Sequence, residues 1–208
     1  MASSLAPTLL LSMPQLVDPN FTRTVVLMCK HSDDGAFGLV VNRPLVTTGR
    51  IVVNVDAPPL VSLPEPVERG AGAGTRETRT MASDHDLQVW VGGPVEPERS
   101  WILVGDEMEH AQEQDRGVRI AEGLYLSTSP DLLRRLLEPS PPARARLMIG
   151  YSGWGPGQLE TELEMSAWLI SDVDRDLIFN TAPERMWESA IRRLGADPAA
   201  LHTSRGVH

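Results

Sequence analysis

The residue types that could support chemistry begin with a cysteine and a histidine in one short stretch. Cys29 and His31 stand two positions apart in an apolar, β-branched run. Alternate positions of a strand share one face, so this spacing suits a thiolate and an imidazole that act together. Free cysteine is also among the most buried residue types, which makes a small core residue the simpler interpretation of Cys29. A Cys29-dependent hydrolase is therefore the alternative hypothesis, because the sequence locates neither its base nor its oxyanion site.

A second group is the hydroxyl run of Ser127, Thr128 and Ser129. Serine hydrolases place their nucleophile in a GxSxG turn, and the chain contains none. Ser129 precedes Pro130, which is the pattern of a helix N-cap followed by a proline at the first helical position. The five histidines are scattered, and none has the spacing of an HExxH or CxxC metal motif. The sequence therefore predicts no catalytic residue, no metal and no cofactor.

The most informative stretch is the glycine-rich segment RLMIGYSGWGPGQLETELEMSAW. Its apolar start predicts a buried strand that ends at Gly150, and Pro156 marks the start of a helix after a glycine turn. A dinucleotide fingerprint needs glycine where Gln158 stands, and the lysine of a P-loop is missing. Phosphate binding is not expected here, and a nucleotide-acting enzyme joins the hydrolase as the alternative hypothesis. The helix should extend to Ile170, with Leu159, Leu163, Ala167 and Ile170 on its core face and Trp168 also in the core.

Composition limits the classes of function. The 208 residues include 28 acidic and 19 basic side chains, for a formal charge of −9, and 41% are hydrophobic. One sizeable core is possible, while the negative charge opposes a broad nucleic-acid contact. The single cysteine excludes an intramolecular disulfide, and the first residues show neither a signal peptide nor a membrane span. A cytoplasmic protein without membrane contact is predicted.

The rest of the chain alternates strands and helices irregularly. Turn residues between Thr24–His31 and Ala36–Val41 predict a hairpin. Several hairpins in such an order indicate an α+β fold rather than a doubly wound parallel sheet. The other predicted elements are a buried segment at 9–13, a strand pair at 87–104, a hairpin at 118–126, a strand at 176–179 and a helix capped by Thr181 and Glu184.

Residues 46–86 interrupt this pattern. They contain closely spaced prolines and the run GAGAGTRETRT, which is typical of a flexible, exposed loop. We predict a single domain over residues 1–208 with an exposed insertion at 46–86. A boundary between two domains is the competing interpretation.

Five stretches carry a resemblance to known proteins: LLLSMPQLVDPNFTRTVVLMCKH, GAFGLVVNRPL, GGPVEPERSWIL, GLYLSTSPDLL and GYSGWGPGQLETEL. In this order they resemble the AlgH-like family of small bacterial proteins, also called the YqgE family. They cover most of the chain, which departs from the family pattern between Val46 and Gln88 and at Gly105, where many members carry histidine. The resemblance implies a single domain whose sheet curls into a closed barrel flanked by helices. The family has been labelled as transcriptional regulators, so a binding or regulatory protein without established catalytic activity is implied.

Side chains at the predicted strand and helix ends offer a composite binding surface. Two aromatic faces, two amides, a titratable ring and a guanidinium form a mixture suited to an unknown protein or small-molecule partner. No nucleophile is paired with a base among them, so binding is expected rather than catalysis. For the two aromatic residues, a purely structural role in covering the core is the alternative. The six residues are His31, Asn42, Arg43, Tyr151, Trp154 and Gln158.

The charge balance predicts that the protein does not bind duplex DNA specifically. Any association should be micromolar or weaker and should fall steeply as salt rises, because it would depend on counterion release alone. A fluorescence-anisotropy titration at physiological salt, with random-sequence duplexes as the control, measures this. Nanomolar, sequence-selective binding would contradict the prediction.

Overall fold

A computed structural model describes residues 4–45, 88–105, 117–138 and 140–203. Within these ranges the chain forms nine strands and five helices. The predicted insertion at 46–86 lies outside the described residues.

The first three strands form an antiparallel unit. Strands β1 (Thr8–Ser12), β2 (Val25–Ser32) and β3 (Gly35–Val40) pair in chain order. The predicted hairpin of β2 and β3 is confirmed, as is the buried segment that becomes β1. Alternation is strict in β1, where Leu10 faces the opposite side of the sheet from its two neighbours.

Strand β8 (Ala145–Trp154) joins the two halves of the sheet. Its first half lies between β5 (Val95–Gly105), which is antiparallel to it, and β4 (Val89–Val91), which is parallel, and its second half pairs with β3. The prediction that this strand ends at Gly150 is wrong, because Gly150 adopts φ +65° within the strand and the register against β5 shifts there. The prediction that β4 and β5 pair with each other is also wrong, because both pair with β8.

The connection from β4 to β5 therefore crosses β8 from one side to the other. It crosses where two glycines meet, because a Cβ on Gly93 would lie 2.2 Å from the carbonyl carbon of Tyr151 and one on Gly150 would lie 2.4 Å from the oxygen of Gly93. Gly92 anchors the crossing by donating to the Ile149 carbonyl and accepting from the Val40 amide. Only glycine allows the two backbones to approach this closely.

Strands β6 (Val118–Ala121), β7 (Leu124–Ser127) and β9 (Trp168–Ser171) complete the sheet. The order is β6-β7-β5-β8-β3-β2-β1-β9, with β4 beside β8. The predicted hairpin of β6 and β7 is confirmed, and the fold is α+β with a mainly antiparallel sheet. The closed barrel that the resemblance implies is not confirmed. The sheet ends at β6 and β9, and within the described residues no ladder joins these two edges.

The five helices are α1 (Pro130–Leu136), α2 (Gln158–Glu164), α3 (Arg175–Asn180), α4 (Pro183–Arg193) and α5 (Pro198–Thr203). Ser129 caps α1 by accepting from the Leu132 amide, as predicted. None of the described helices is long and apolar enough to cross a membrane.

Three helix predictions need correction. The helix expected to reach Ile170 ends at Glu164, and Ser166 at φ +56° redirects the chain into β9. Trp168 is therefore a core residue of a strand, and Ile170, expected on the core face of the helix, is exposed. The strand predicted at 176–179 is α3, because the Asp174 carboxylate accepts from the Leu177 amide and starts a helix. The capping box does not form, since the N-cap of α4 is Ala182 without a side-chain hydrogen bond.

Helices cover both faces of the sheet. Helices α3 and α4 pack on one face, where the largest apolar cluster includes Trp101 and Trp187. On the other face, α1 covers the half around β5, and α2 covers β1 to β3 through Leu159. Both faces of the sheet therefore carry buried apolar clusters.

Gly93→Ala should lower the free energy of unfolding by about 2–4 kcal/mol, because the methyl group overlaps backbone atoms and φ +154° suits only glycine. Gly155→Ala is the matched control, since its Cβ would meet only the Gln158 Oε1 atom, at 4.0 Å. Urea unfolding of both variants measures the difference. Equal losses in the two variants would contradict this account of the crossing.

Candidate functional site

The glycine-rich segment folds one carboxylate under two tryptophans. Trp154 and Trp168 both donate their indole N–H to Glu162 Oε2, at 2.9 and 2.7 Å. Gln158, one helical turn earlier, donates to Glu162 Oε1 at 2.9 Å. We call these four residues the Glu162 clasp. It holds α2 against β8 and β9, and Phe21 packs on both indole rings.

His31 ties the same helix to β2. Its Nε2 lies 2.7 Å from Glu160 Oε1, and its Nδ1 accepts from the Leu5 amide at 3.1 Å. An accepting Nδ1 assigns the proton to Nε2, which then donates to the carboxylate. The pKa of Glu160 is lowered by a hydrogen bond from its own backbone amide and then by His31. Both ring nitrogens are thus engaged, and the histidine is hydrogen-bonded rather than free to act as a base.

Cys29 lies on the opposite face of the sheet from His31. Cys29 continues the alternation of Val25 and Leu27 into the core that α3 and α4 cover. The register of β2 against β3 shifts between Met28 and Lys30, and this bulge places His31 opposite Ala36 on the other face. Burial raises the pKa of its thiol, and Sγ donates to the Leu27 carbonyl at 3.5 Å. The expectation that the two side chains share a face is wrong because the bulge inserts one residue. The simpler interpretation of Cys29 as a small core residue fits its burial.

The six residues of the predicted binding surface do not form one cluster. Trp154, Gln158 and His31 all contact α2 or belong to it. Tyr151 lies on the other face, against Phe37 with 5.0 Å between ring centroids. Burial, and then the nearby Glu96 carboxylate, raise the pKa of Tyr151. Trp154 and Tyr151 are 3% and 4% exposed. Their rings therefore cover the core, which is the structural role given above as the alternative to a binding surface.

Asn42 and Arg43 lie at the other end of β3. Trp154 pairs with Ala36, six residues before Asn42, which is roughly 20 Å along a strand. Asn42 accepts from the Val25 amide and donates to the Arg23 carbonyl. Both polar ends of its side chain therefore hold the loop that precedes β2, which Arg43 also binds through backbone carbonyls.

An open cavity of about 440 Å³ lies beyond this end of β3, and the sequence analysis did not anticipate it. This volume is in the range of small-molecule sites. Four segments form its walls: the chain just after β3, the start of β4, the start of β8, and the α3–α4 connection. Its lining includes Pro44, Trp90, Arg146, Phe179, Thr181 and Pro183.

Arg146 is the charged residue of the cavity lining. It is only 6% exposed, and its guanidinium carbon lies 3.8 Å from the Trp90 ring centroid and 5.5 Å from that of Phe179. Nη1 donates to the Val41 carbonyl at 2.5 Å. Burial lowers the pKa of Arg146 to about 10, which leaves the group charged at neutral pH. In the described part of the chain no carboxylate forms an ion pair with it, and none lines the cavity.

The N-terminus of α4 borders the same cavity. Thr181, Ala182 and Pro183 line it, and Ala182 provides no side-chain cap for the helix. A helix N-terminus carries a partial positive charge, but Glu184 in the first turn of α4 offsets it. The guanidinium of Arg146 therefore supplies the positive field of the cavity, which favours an anion. By contrast, no group of three or more metal-ligating side chains occurs in the described ranges.

One feature of the sequence points to this cavity, although hydrophobic periodicity does not reveal it. Arg146 is a charged residue inside an apolar strand run, where an unpaired charge is costly. Trp90 and Phe179 carried no comparable signal, because isolated aromatic residues in apolar runs are typical of any core.

Comparison with known proteins agrees with this architecture. The AlgH-like family model matches residues 9–199. A UPF0301 protein from Myxococcus xanthus is 38% identical over 99% of both chains, and one from Anaeromyxobacter dehalogenans is 40% identical over 98% of this chain and 95% of its own. The solution structure of the AlgH protein from Pseudomonas aeruginosa has a TM-score of 0.62 at 28% identity, over 100% of this chain and 99% of that one. A crystal structure from Corynebacterium diphtheriae shares the fold, with a TM-score of 0.59 at 20% identity over 97% and 91%.

Fold and site together define an α+β protein with an open, mainly antiparallel sheet, a clasped signature helix and a cationic cavity. The chain belongs to the AlgH-like family, the UPF0301 proteins, whose biochemical activity is uncharacterised. The family signature at Gly150 to Leu163 supplies three of the four residues of the Glu162 clasp. Its side chains are therefore used mainly to build the fold.

Glu162→Gln should lower the free energy of unfolding by about 2 kcal/mol, because an amide offers one acceptor oxygen where three donors converge. Glu164→Gln is the matched control, since this exposed residue of the same helix is outside the clasp. Urea unfolding gives the stability, and near-ultraviolet circular dichroism reports the tryptophan environment. A loss no larger than that of the control would show that the clasp contributes little.

Proposed function

We propose that this chain is a cytoplasmic binding protein that acts through a small ligand held in the cavity beside Arg146. The observation that carries the proposal is the buried guanidinium, which has no carboxylate partner in the described residues and lines an open cavity. Taking a charge out of water is costly unless a partner compensates it. One hydrogen bond and two aromatic rings compensate part of that cost, and a bound ligand would supply the rest.

The enzyme alternative has less support. A Cys29-dependent hydrolase needs an accessible thiolate next to a base, whereas Cys29 is buried with a raised pKa and His31 is engaged on the other face. A nucleotide-acting enzyme lacks its loop, because residues 150–154 continue a strand and α2 carries Glu160 in its first turn. Binding without catalysis is the better account of both regions.

The regulatory label of the family is compatible with this proposal. A regulator can act by sensing a small molecule and passing the change to a protein partner, without reading DNA itself. The formal charge of −9 favours this indirect route over direct binding of duplex DNA. The proposal therefore includes a partner protein that responds to the ligand-bound form.

Two of the six predicted surface residues, Asn42 and Arg43, enter the proposal as supports of the cavity. Arg43 accepts from the Val91 amide through its carbonyl, and Pro44, next in the chain, lines the cavity and bridges to Trp90. The Asn42 and Arg43 side chains hold this segment on the loop before β2. His31, Trp154 and Gln158 instead hold α2, at the other end of β3.

Blocking the cavity should remove ligand binding without unfolding the protein. Ala182 is exposed at the cavity mouth, so Ala182→Phe fills space there and removes no contact of the core. In a thermal-shift screen of cellular metabolites, a ligand at a hundred times its Kd stabilises the wild type by about 2.7 kcal/mol. For a domain of this size that raises Tm by roughly 5–10 °C.

The blocked variant should lose this shift, while Ala199→Phe, at an exposed alanine outside the cavity lining, should keep it. A ligand whose shift survives Ala182→Phe binds elsewhere. If the whole panel gives no shift that Ala182→Phe abolishes, the proposed site is wrong.

A further inference from the structure

We infer that the ligand of this cavity is an oxyanion, a carboxylate or a phosphate, attached to a flat apolar body, with its oxygens bound to the free edge of the Arg146 guanidinium. The inference rests on the proposed function and adds the chemical class of the ligand. It depends on how Arg146 is held, what else lines the cavity, and how much space remains.

The orientation of Arg146 is determined by three contacts. The Trp90 ring lies 3.8 Å from the guanidinium carbon, the Phe179 ring lies 5.5 Å away, and Nη1 donates to the Val41 carbonyl. A guanidinium has five N–H donors in one plane, and a single protein acceptor uses one of them here. The remaining donors form the planar fork that matches two oxygens of a carboxylate or phosphate.

The charge of the lining selects an anion. Arg146 is its charged residue, and none of the other lining residues is acidic. The start of α4 lines the same space but adds little positive field, because Pro183 has no N–H, the Arg185 amide donates to the Ala182 carbonyl, and Glu184 lies in the first turn. A neutral ligand would leave the guanidinium charge without a counterion, and a cationic ligand would be repelled by it.

The volume of the cavity and its apolar lining favour a ligand larger than a free ion. A volume of about 440 Å³ exceeds what a single inorganic phosphate fills, and Pro44, Trp90, Phe179 and Pro183 provide apolar walls. Two aromatic rings in the lining suit a flat ligand body that buries apolar surface against them. The oxyanion gives orientation, and the body gives additional affinity.

Four probes test this class: benzoate, phenyl phosphate, benzamide and inorganic phosphate. Each is titrated into the full-length ¹⁵N-labelled protein, and the Arg146 Nε–H and Trp90 indole N–H signals are followed by NMR. We expect benzoate or phenyl phosphate to bind at least tenfold more tightly than benzamide, which has the same shape without the charge. Phenyl phosphate should bind more tightly than inorganic phosphate, and the order of the two aryl anions identifies which oxyanion the site prefers.

Arg146→Lys keeps the charge and loses the planar fork, so it should weaken binding of the preferred aryl anion about tenfold, with circular dichroism confirming the fold. If that variant does not fold, Ala182→Phe gives the site assignment without touching the core. Benzamide binding as tightly as the anions, or neither anion binding at millimolar concentration, overturns this inference. The proposed function would still stand if neutral metabolites gave shifts that Ala182→Phe abolishes.

Discussion

The architecture depends on one close approach between two backbones. The chain must pass from β4 on one side of β8 to β5 on the other, and it does so where Gly93 meets Gly150. A side chain at either position would overlap backbone atoms, so the crossing is possible only with glycine. Because β4 and β5 hold the first half of β8 from both sides, this crossing also sets the position of Arg146 between Trp90 and Val41.

Strand β8 connects two polar regions with different roles. Near its end, Trp154 enters the Glu162 clasp, in which a partly buried carboxylate accepts from two indoles and an amide. Every donor there has its acceptor, so the arrangement contributes to stability and leaves little for a ligand to bind. Near its start, Arg146 has more donors than acceptors. That excess distinguishes a region that can recognise a ligand from one that holds the fold together.

The contrast changes how the family signature is interpreted. Its glycines, tryptophan and glutamates invite a functional interpretation, because polar and aromatic residues in a turn are typical of binding sites. In the folded chain the same residues allow the backbone crossing at Gly150, hold α2 through the Glu162 clasp and cover the core. The cavity lies at the other end of β8, where Arg146 is the residue just before the apolar run of the strand.

Local features of the sequence were enough to determine the α+β class, the hairpins of β2 with β3 and β6 with β7, the Ser129 cap, the buried Cys29 and the family. These features follow from alternation, turn chemistry and capping, which act between residues close in the chain. Only the tertiary structure decided that a one-residue bulge separates Cys29 from His31, that residues 176–179 are helical, and that the sheet stays open. The cavity belongs to this second group, because its walls come from residues 44, 88, 90, 146 and 179–183. Contacts between segments so far apart in the chain depend on strand order and on the glycine crossing, and neither leaves a periodic pattern in the sequence.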